Sequence, residues 1–192
     1  MVYVKWVFWG VFWTIVLAFL HYTLPQHDIV RITDTYETRE DFDYPFFWAN
    51  PPSAETGAPT NRDVFFIQTF RADNEPMIYR NEDTGWGWPP YFKFDTANLQ
   101  AEASDLVSTR SASVAQWVSI RHYGWRSEFL SIYPNAISVK PVAGPDVRII
   151  PWFNIILLTL LAAFAWGIWA RWRKFRARRE RRHVDEFTEG WG

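Results

Sequence analysis

The sequence predicts a membrane protein in which two transmembrane helices flank a mainly-β domain, a small antiparallel sheet or barrel with one short helix. Three observations carry this prediction. A long, uncharged apolar segment lies near each end of the 192-residue chain. The part between them contains short runs of branched and aromatic residues bounded by turn formers, which is typical of strands. One stretch in that part has apolar residues at helical spacing.

The first apolar segment, WVFWGVFWTIVLAFLHYTL, extends from Trp6 to Leu24 without a charged side chain. A helix rises about 1.5 Å per residue and the hydrocarbon core of a bilayer is about 30 Å thick, so a segment of this length can cross it. A cleaved signal peptide would need a small-x-small cleavage site, and the residues after Ala18 offer none. We therefore predict an uncleaved signal anchor over residues 1–24.

The second apolar segment lies between Arg148 and Arg171, where 22 consecutive residues carry no formal charge. Pro151 lies near its start, a helical position at which a missing N–H costs little. We predict a second transmembrane helix over residues 151–170, preceded by one outer domain over residues 25–150.

A dense basic run, RWRKFRARRERR, follows the second segment directly and opens the predicted tail, residues 171–192. Lys and Arg in short flanks are retained on the cytoplasmic side, so both termini are predicted to be cytoplasmic. The outer domain is then predicted to lie outside the cytoplasm. In a Gram-negative bacterium, the spans would lie in the inner membrane and the outer domain in the periplasm. The final stretch, from His183, is predicted to be a frayed end.

The basic run has three candidate roles, an arm that binds nucleic acid, a helix that lies on lipid or a positional anchor. Its direct connection to a membrane span favours a topology determinant that also attracts anionic lipids, at about 1 kcal/mol per residue near the surface. We expect no nucleic-acid partner. The residues concerned are Arg171, Arg173, Lys174, Arg176, Arg178, Arg179, Arg181 and Arg182.

The outer domain contains seven runs with the strand signature. The sequence predicts that the turns NEDTG, YGWR and YPNA connect successive strands as a meander. Leu99, Ala103 and Leu106 recur at helical spacing and predict one helix over residues 96–108. The predicted strands are residues 28–33, 63–70, 76–80, 91–94, 116–123, 127–133 and 136–141.

Two segments of the outer domain, residues 43–62 and 84–91, carry large rings but no clear periodicity. An exposed cluster of rings generally marks a binding or lipid-facing surface. The alternative is that these rings fold back and cover the sheet. The candidate partner surface consists of Phe46, Phe47, Trp48, Trp86 and Trp88.

The residue types that carry catalysis or bind metals form no known pattern. Of the four histidines, His21, His27 and His122 lie in or near the outer domain and His183 in the tail, and no HExxH motif is present. Cysteine is absent, and the acidic run at residues 34–43 lacks the spacing of a calcium loop. No GxSxG motif is present either. We therefore expect neither an enzyme nor a bound metal or cofactor.

Both apolar segments contain small residues at intervals of four. Small side chains let helix backbones approach closely, and packing drives helix association in lipid. The sequence therefore predicts that the two helices pack through these residues, although chance is the alternative because small residues are common in spans. The residues are Gly10, Thr14 and Ala18 in the first segment and Thr159, Ala163 and Gly167 in the second.

The segment RHYGWRSEFLSIYPNAISVKP, Arg121 to Pro141, together with the two-span layout, resembles an uncharacterised family of alphaproteobacterial two-span inner-membrane proteins. The resemblance implies a location and a layout. It implies no activity and no catalytic residue.

Taken together, these features favour a non-catalytic accessory, assembly or stabilising subunit of a larger inner-membrane protein complex. The expected partners are a larger integral membrane protein or complex and anionic lipids. One alternative is an extracytoplasmic ligand-sensing module that relays a shift through its transmembrane hairpin. A second alternative is an enzyme that acts on the cell envelope.

Overall fold

The structure, a computed structural model, describes residues 2–41, 61–108 and 115–189. The chain divides into two compact units, residues 1–149 and 150–192. The first unit contains α1 (Val2–Thr23), β1 (Gln26–Asp41), β2 (Asn61–Arg71), β3 (Pro76–Asn81), α2 (Thr96–Asp105), β4 (Trp117–Tyr123) and β5 (Asn135–Val142), and the second contains α3 (Trp152–Glu189).

Helices α1 and α3 are each long and apolar enough to cross a membrane, over Tyr3–Thr23 and Trp152–Arg179. Helix α3 begins directly after Pro151, whose carbonyl accepts the first hydrogen bond of the helix, from the N–H of Ile155 at 3.1 Å. The predicted frayed end from His183 is instead helical to Glu189. The reason is local, because no Gly or Pro interrupts the chain before Gly190.

The five strands of the first unit form a closed barrel in the order β1-β2-β3-β5-β4. Strands β3 and β5 are parallel and share a single pair, Arg80 with Asn135, whereas the other neighbours are antiparallel. The predicted meander is therefore wrong. Strand β4 returns to pair with β1, which closes the barrel and removes the edges that a meander would leave unpaired.

This strand order, with a helix between the third and fourth strands, is that of the OB-fold, a five-stranded Greek-key barrel. The mainly-β domain between two apolar helices confirms the predicted fold class. Strand β1 continues to Asp41, so most of the acidic run lies in a strand that pairs with β2.

Two predicted strands are wrong, residues 91–94 and 127–133. In the first, Phe92 has a left-handed backbone conformation, with φ of 51°, which an extended strand does not allow. In the second, Ser131 has φ of 50°, and Ser127 and Ile132 close a short turn instead of a strand. Both predictions rested on short runs of branched and aromatic residues bounded by turn formers, and a compact loop can have the same composition.

The core fills the barrel with branched side chains from its strands, including Val30, Ile67, Val118 and Ile120, all fully buried. Fully burying a side chain of this kind stabilises a fold by about 1.5–3 kcal/mol. Helix α2 packs against β1, β2, β3 and β5 and covers part of this core.

The predicted helix residues Leu99 and Ala103 of α2 are buried in this core. Asp95 caps the start of this helix, and its side chain accepts a hydrogen bond from the N–H of Asn98 at 3.0 Å.

Candidate functional site

Helix α1 joins the barrel with almost no linker. The helix ends at Thr23 and β1 begins at Gln26. Of the two residues between them, Leu24 donates its N–H to the carbonyl of Leu20 at 2.8 Å, and Pro25 is fully buried. With so little slack, the end of α1 and the adjacent end of the barrel form one body within the first unit.

Two loops of the barrel pack against the last turns of α1. The first is the aromatic loop, residues 84–94, in which Trp88 stacks on Phe19 with 5.5 Å between ring centroids. The hydroxyl of Tyr91 in the same loop donates to the carbonyl of Thr23. Trp88 therefore lies beside the helix one turn before its end.

The second is the β4–β5 loop, residues 124–134. The N–H of Gly124 donates to the carbonyl of Tyr22 at 2.9 Å, and the indole Nε1 of Trp125 donates to Nδ1 of His21 at 2.9 Å. Gly124 has φ of 94°, a conformation that favours glycine. An added Cβ would also lie 3.5 Å from Cα of Pro134, so this residue permits the close approach of loop and helix.

The aromatic loop is rigidly closed at its base. The N–H groups of Thr84 and Gly85 both donate to the carbonyl of Lys93, and the N–H of Lys93 donates to the hydroxyl of Thr84. At its outer side Trp86 contacts the rings of Phe92 and Phe94, with centroids 5.4 and 5.7 Å away. These contacts hold the rings in place without burying them.

Together the exposed rings of this loop form the aromatic surface, defined as Trp86, Trp88, Phe92 and Phe94. Trp86 is 84% exposed and the other three are more than half exposed. Two members, Trp86 and Trp88, were predicted from the sequence. Phe92 and Phe94 were missed because their run was assigned to a strand. The other predicted members, Phe46, Phe47 and Trp48, lie outside the described residues.

A second feature is a partly buried charged cluster, in which four strands of the barrel meet at the carboxylate of Asp28. Its Oδ2 accepts hydrogen bonds from Tyr79 at 2.5 Å and from Arg71 at 3.1 Å, and lies 3.2 Å from Nε2 of His122. Burial alone would raise the pKa of Asp28, but interactions with His122, Tyr79 and Arg71 outweigh burial and hold it well below its usual range. Burial and the neighbouring charge of Asp28 raise the pKa of Tyr79.

A third feature is the seam between β3 and β5, which the ammonium of Lys93 bridges. Its Nζ donates to Oδ1 of Asn81, to the carbonyl of Glu82 at 3.2 Å and to the carbonyl of Ala136 at 2.9 Å. Three donors thus meet three acceptors on both sides of the seam. Burial lowers the pKa of Lys93 to about 7.

The seam also contains a buried ion pair, Arg80 with Glu82, at 2.7 Å. The side-chain amide of Asn135, on β5, accepts from the N–H of Glu82 and donates to its carbonyl. These side chains replace the ladder hydrogen bonds that a single strand pair does not provide. Over the described ranges, no three His, Cys, Asp or Glu side chains come together as metal ligands.

The small residues predicted to pack lie on two separate units. Thr14 donates to the carbonyl of Gly10 at 2.9 Å and Thr159 to that of Ile155 at 2.7 Å, so both hydroxyls bond within their own helix. A Cβ added to Gly10 or Gly167 meets no atom within 4 Å. Packing of α1 on α3 through Ala18, Ala163 and the other small residues stays a prediction.

The basic run lies within helix α3, and three of its arginines stack on aromatic rings one turn earlier. Arg173, Arg176 and Arg179 lie over the rings of Trp169, Trp172 and Phe175, at 4.4–4.8 Å from their centroids. Such pairs orient the arginine stems along the helix. Arg171, Lys174 and Arg178 are exposed, and the side chains of Arg181 and Arg182 lie outside the described part.

Comparison with known proteins identifies relatives but no activity. A family model described as "Protein of unknown function (DUF1523)" matches residues 1–176. An uncharacterised protein of Haemophilus influenzae is 40% identical over 144 residues, which cover 75% of this chain and 77% of the relative. No solved structure matches the chain. The predicted resemblance to a family of unknown function is therefore confirmed, while its alphaproteobacterial and two-span inner-membrane details stay predictions.

Proposed function

The chain belongs to the DUF1523 family of proteins of unknown function. We propose that it is a non-catalytic accessory, assembly or stabilising subunit of a larger inner-membrane protein complex. Helices α1 and α3 anchor it, both termini are cytoplasmic, and the barrel lies on the periplasmic face. The basic run after Ala170 supports this orientation, because Lys and Arg beside a span are retained in the cytoplasm.

The observation that carries the proposal is the aromatic surface. Four large rings are exposed on a loop that hydrogen bonds hold rigid and that packs against the end of α1. Exposed apolar clusters mark interaction sites, and aromatic side chains are enriched where partners bind most strongly. Because the loop is already ordered, a partner would bind it without a large ordering penalty.

Helix α1 supports the same role within the bilayer. Its rings Trp6, Trp9 and Trp13 are each more than half exposed in the first unit. A partner helix can therefore pack on α1 while the aromatic surface contacts the same partner just outside the hydrocarbon core. The two contacts together would hold the barrel in one orientation on the complex.

The test is co-purification of a tagged full-length chain from native membranes in mild detergent. We expect a larger integral membrane protein to be recovered with the chain. Replacing Trp86→Ser and Phe94→Ser together should reduce that recovery about tenfold, which corresponds to about 1.4 kcal/mol. Val147→Ser, an exposed apolar residue outside the aromatic surface, is the matched control. Recovery of the unmodified chain alone would refute the proposal.

Orientation has its own test. A reporter active only in the periplasm, fused after Gly192, should be inactive, and the same reporter inserted after Asp73 in the exposed β2–β3 turn should be active. An active reporter after Gly192 would overturn the orientation and leave the subunit proposal to the co-purification result.

The second candidate function is an extracytoplasmic ligand-sensing module. It is favoured by the direct bonds of the β4–β5 loop to His21 and Tyr22, since a shift of that loop would move the end of α1. Thermal unfolding of the chain in the presence of periplasmic extract distinguishes the two functions. A small-molecule fraction that raises the unfolding temperature favours sensing.

A further inference from the structure

The middle of the β4–β5 loop forms a small rigid turn, from Ser127 to Ile132. These two residues exchange backbone hydrogen bonds at 3.1 and 2.9 Å. The guanidinium of Arg126 donates to both of their carbonyls and lies 4.5 Å over the ring of Tyr133. The turn therefore keeps one shape although it projects from the barrel.

The tip of this turn is apolar and open. Phe129 is 96% exposed and Leu130 is 58% exposed, and no other large apolar side chain in the described part of the chain is as exposed as Phe129. A mobile loop can fold such side chains back, but this turn is closed by its own hydrogen bonds. A rigid turn that exposes two apolar side chains is suited to contact with an apolar environment, such as the hydrocarbon core of a membrane.

The hydrogen bonds between the β4–β5 loop and α1 fix the depth of the turn relative to the membrane. This argument rests on the proposed function, in which α1 spans the membrane. The 22 residues of α1 extend about 33 Å, which matches a hydrocarbon core of about 30 Å. The end of the helix then lies among the headgroups. Because Gly124 and Trp125 bond to Tyr22 and His21 in its last turn, the loop starts at headgroup depth.

We propose that Phe129 and Leu130 insert into the outer leaflet of the membrane that α1 crosses. The indole of Trp125 lies on α1 at the level of the headgroups, the depth at which Trp is enriched in membrane proteins. The tip then gives the barrel a direct contact with the bilayer, in addition to its covalent connections to α1 and α3. This contact restricts the rotation of the barrel about the axis of α1.

Insertion of this tip is an apolar interaction. The charged residue nearest in sequence to Phe129 is Glu128, which offers no attraction to anionic headgroups. The contact should therefore be insensitive to ionic strength and to the anionic lipid fraction. A contact made by the basic tail would weaken with salt.

The absence of cysteine from the chain makes the test direct. Phe129→Cys places a single site for an environment-sensitive fluorophore at the tip, and Leu130→Cys is a second variant at the same place. Glu102→Cys is the matched control, because Glu102 is exposed on α2, and this helix bonds to β1 through Ser104 and Thr35, far along the strand from the end that joins α1. The labelled full-length chains are purified and reconstituted into phosphatidylcholine vesicles, and resistance to alkaline extraction verifies integration.

We expect the probe at position 129 to be quenched by nitroxide-labelled lipids and to be at least threefold less accessible to iodide than the probe at position 102. The same contrast at 1 M salt supports the apolar mechanism. Equal iodide access at the two positions in the vesicles would overturn the proposal. Shielding in native membranes but not in vesicles would show that a protein covers the tip, which also overturns it and leaves the subunit proposal intact.

Discussion

The hydroxyl of Tyr79 donates a hydrogen bond to the carboxylate of Asp28 at 2.5 Å, and the two residues lie on strands that are not neighbours in the barrel. The bond therefore crosses the barrel interior. Arg71 on β2 and His122 on β4 approach the same carboxylate oxygen. One acidic side chain thus links four strands at the end of the barrel at which α1 joins it.

Replacing Asp28→Asn should destabilise the barrel by about 2 kcal/mol at neutral pH, because it removes one partner of a partly buried charged network. The folded state lowers the pKa of Asp28, so its stabilisation is complete above the unfolded pKa near 4 and is lost as pH falls below it. The difference in unfolding temperature between the two proteins should therefore shrink below about pH 4.

Thermal unfolding of the full chain in detergent, followed by near-ultraviolet circular dichroism, measures this difference. Asp146→Asn removes the same charge from an exposed position and should change the unfolding temperature little. Equal effects of the two substitutions at neutral pH would contradict the assigned role of Asp28.

The stability of the barrel should rise between about pH 7 and pH 9, because of Lys93. Its pKa is about 7 in the folded protein, against 10.5 in the unfolded chain. Between these values the unfolded chain binds more protons, so unfolding becomes less favourable as pH rises. Below pH 7 both states are protonated, and the penalty of burying the charge is fully present.

Lys93→Met removes this dependence and leaves three acceptors at the seam without their donor. We expect the Lys93→Met variant to be less stable than the unmodified protein by a few kcal/mol, and its stability to vary less with pH. Lys140→Met, on an exposed side chain of β5, should keep the wild-type slope. A wild-type slope in Lys93→Met would assign the pH dependence to another group.

The bond between Trp125 and His21 should hold the β4–β5 loop on α1. Trp125→Phe keeps an aromatic ring but removes the indole N–H, which is worth about 1 kcal/mol. Amide hydrogen exchange of residues 124–133 should then be roughly fivefold faster. Trp86→Phe, in the other loop, is the control. Unchanged exchange in Trp125→Phe would mean that other contacts hold the loop.

The basic run should bind anionic lipids. Replacing Arg178, Arg179, Arg181 and Arg182 with Gln should weaken binding of a peptide of residues 169–192 to anionic vesicles by at most about 4 kcal/mol. The difference should decrease as salt is added, because exposed charges are screened. Sedimentation with vesicles at two salt concentrations measures it. Equal binding of the original and the substituted peptide would show that these arginines do not attract anionic lipids.

Packing through the small residues of the spans predicts that Gly167→Leu reduces recovery of the partner in native membranes. The bulky side chain would separate helix backbones that approach closely. Gly167 has open space within its own unit, so the helix itself tolerates the substitution. Gly167→Ala should have little effect. Full recovery with Gly167→Leu would indicate that the spacing of small residues is chance.

Features that depend on continuous stretches were predicted well. Length, apolarity and periodicity predict both apolar helices, the four strands β2, β3, β4 and β5, and helix α2. The exposed rings Trp86 and Trp88 were also selected from the sequence, because Gly and Pro beside them exclude a regular strand or helix. The sequence does not predict the turn at Phe129, because its branched and aromatic residues also have the composition of a strand.

The two apolar helices and the mainly-β class follow from the sequence alone, because each is a property of neighbouring residues. The pairing of β3 with β5 and the closure of the barrel are visible only in the folded structure, and so is the cluster of Asp28, Arg71, Tyr79 and His122. Local periodicity shows which side chains share a face of a strand, but not which strand lies beside it. Strand pairing depends on the summed packing of distant segments around one core, and that sum exists only in the folded chain.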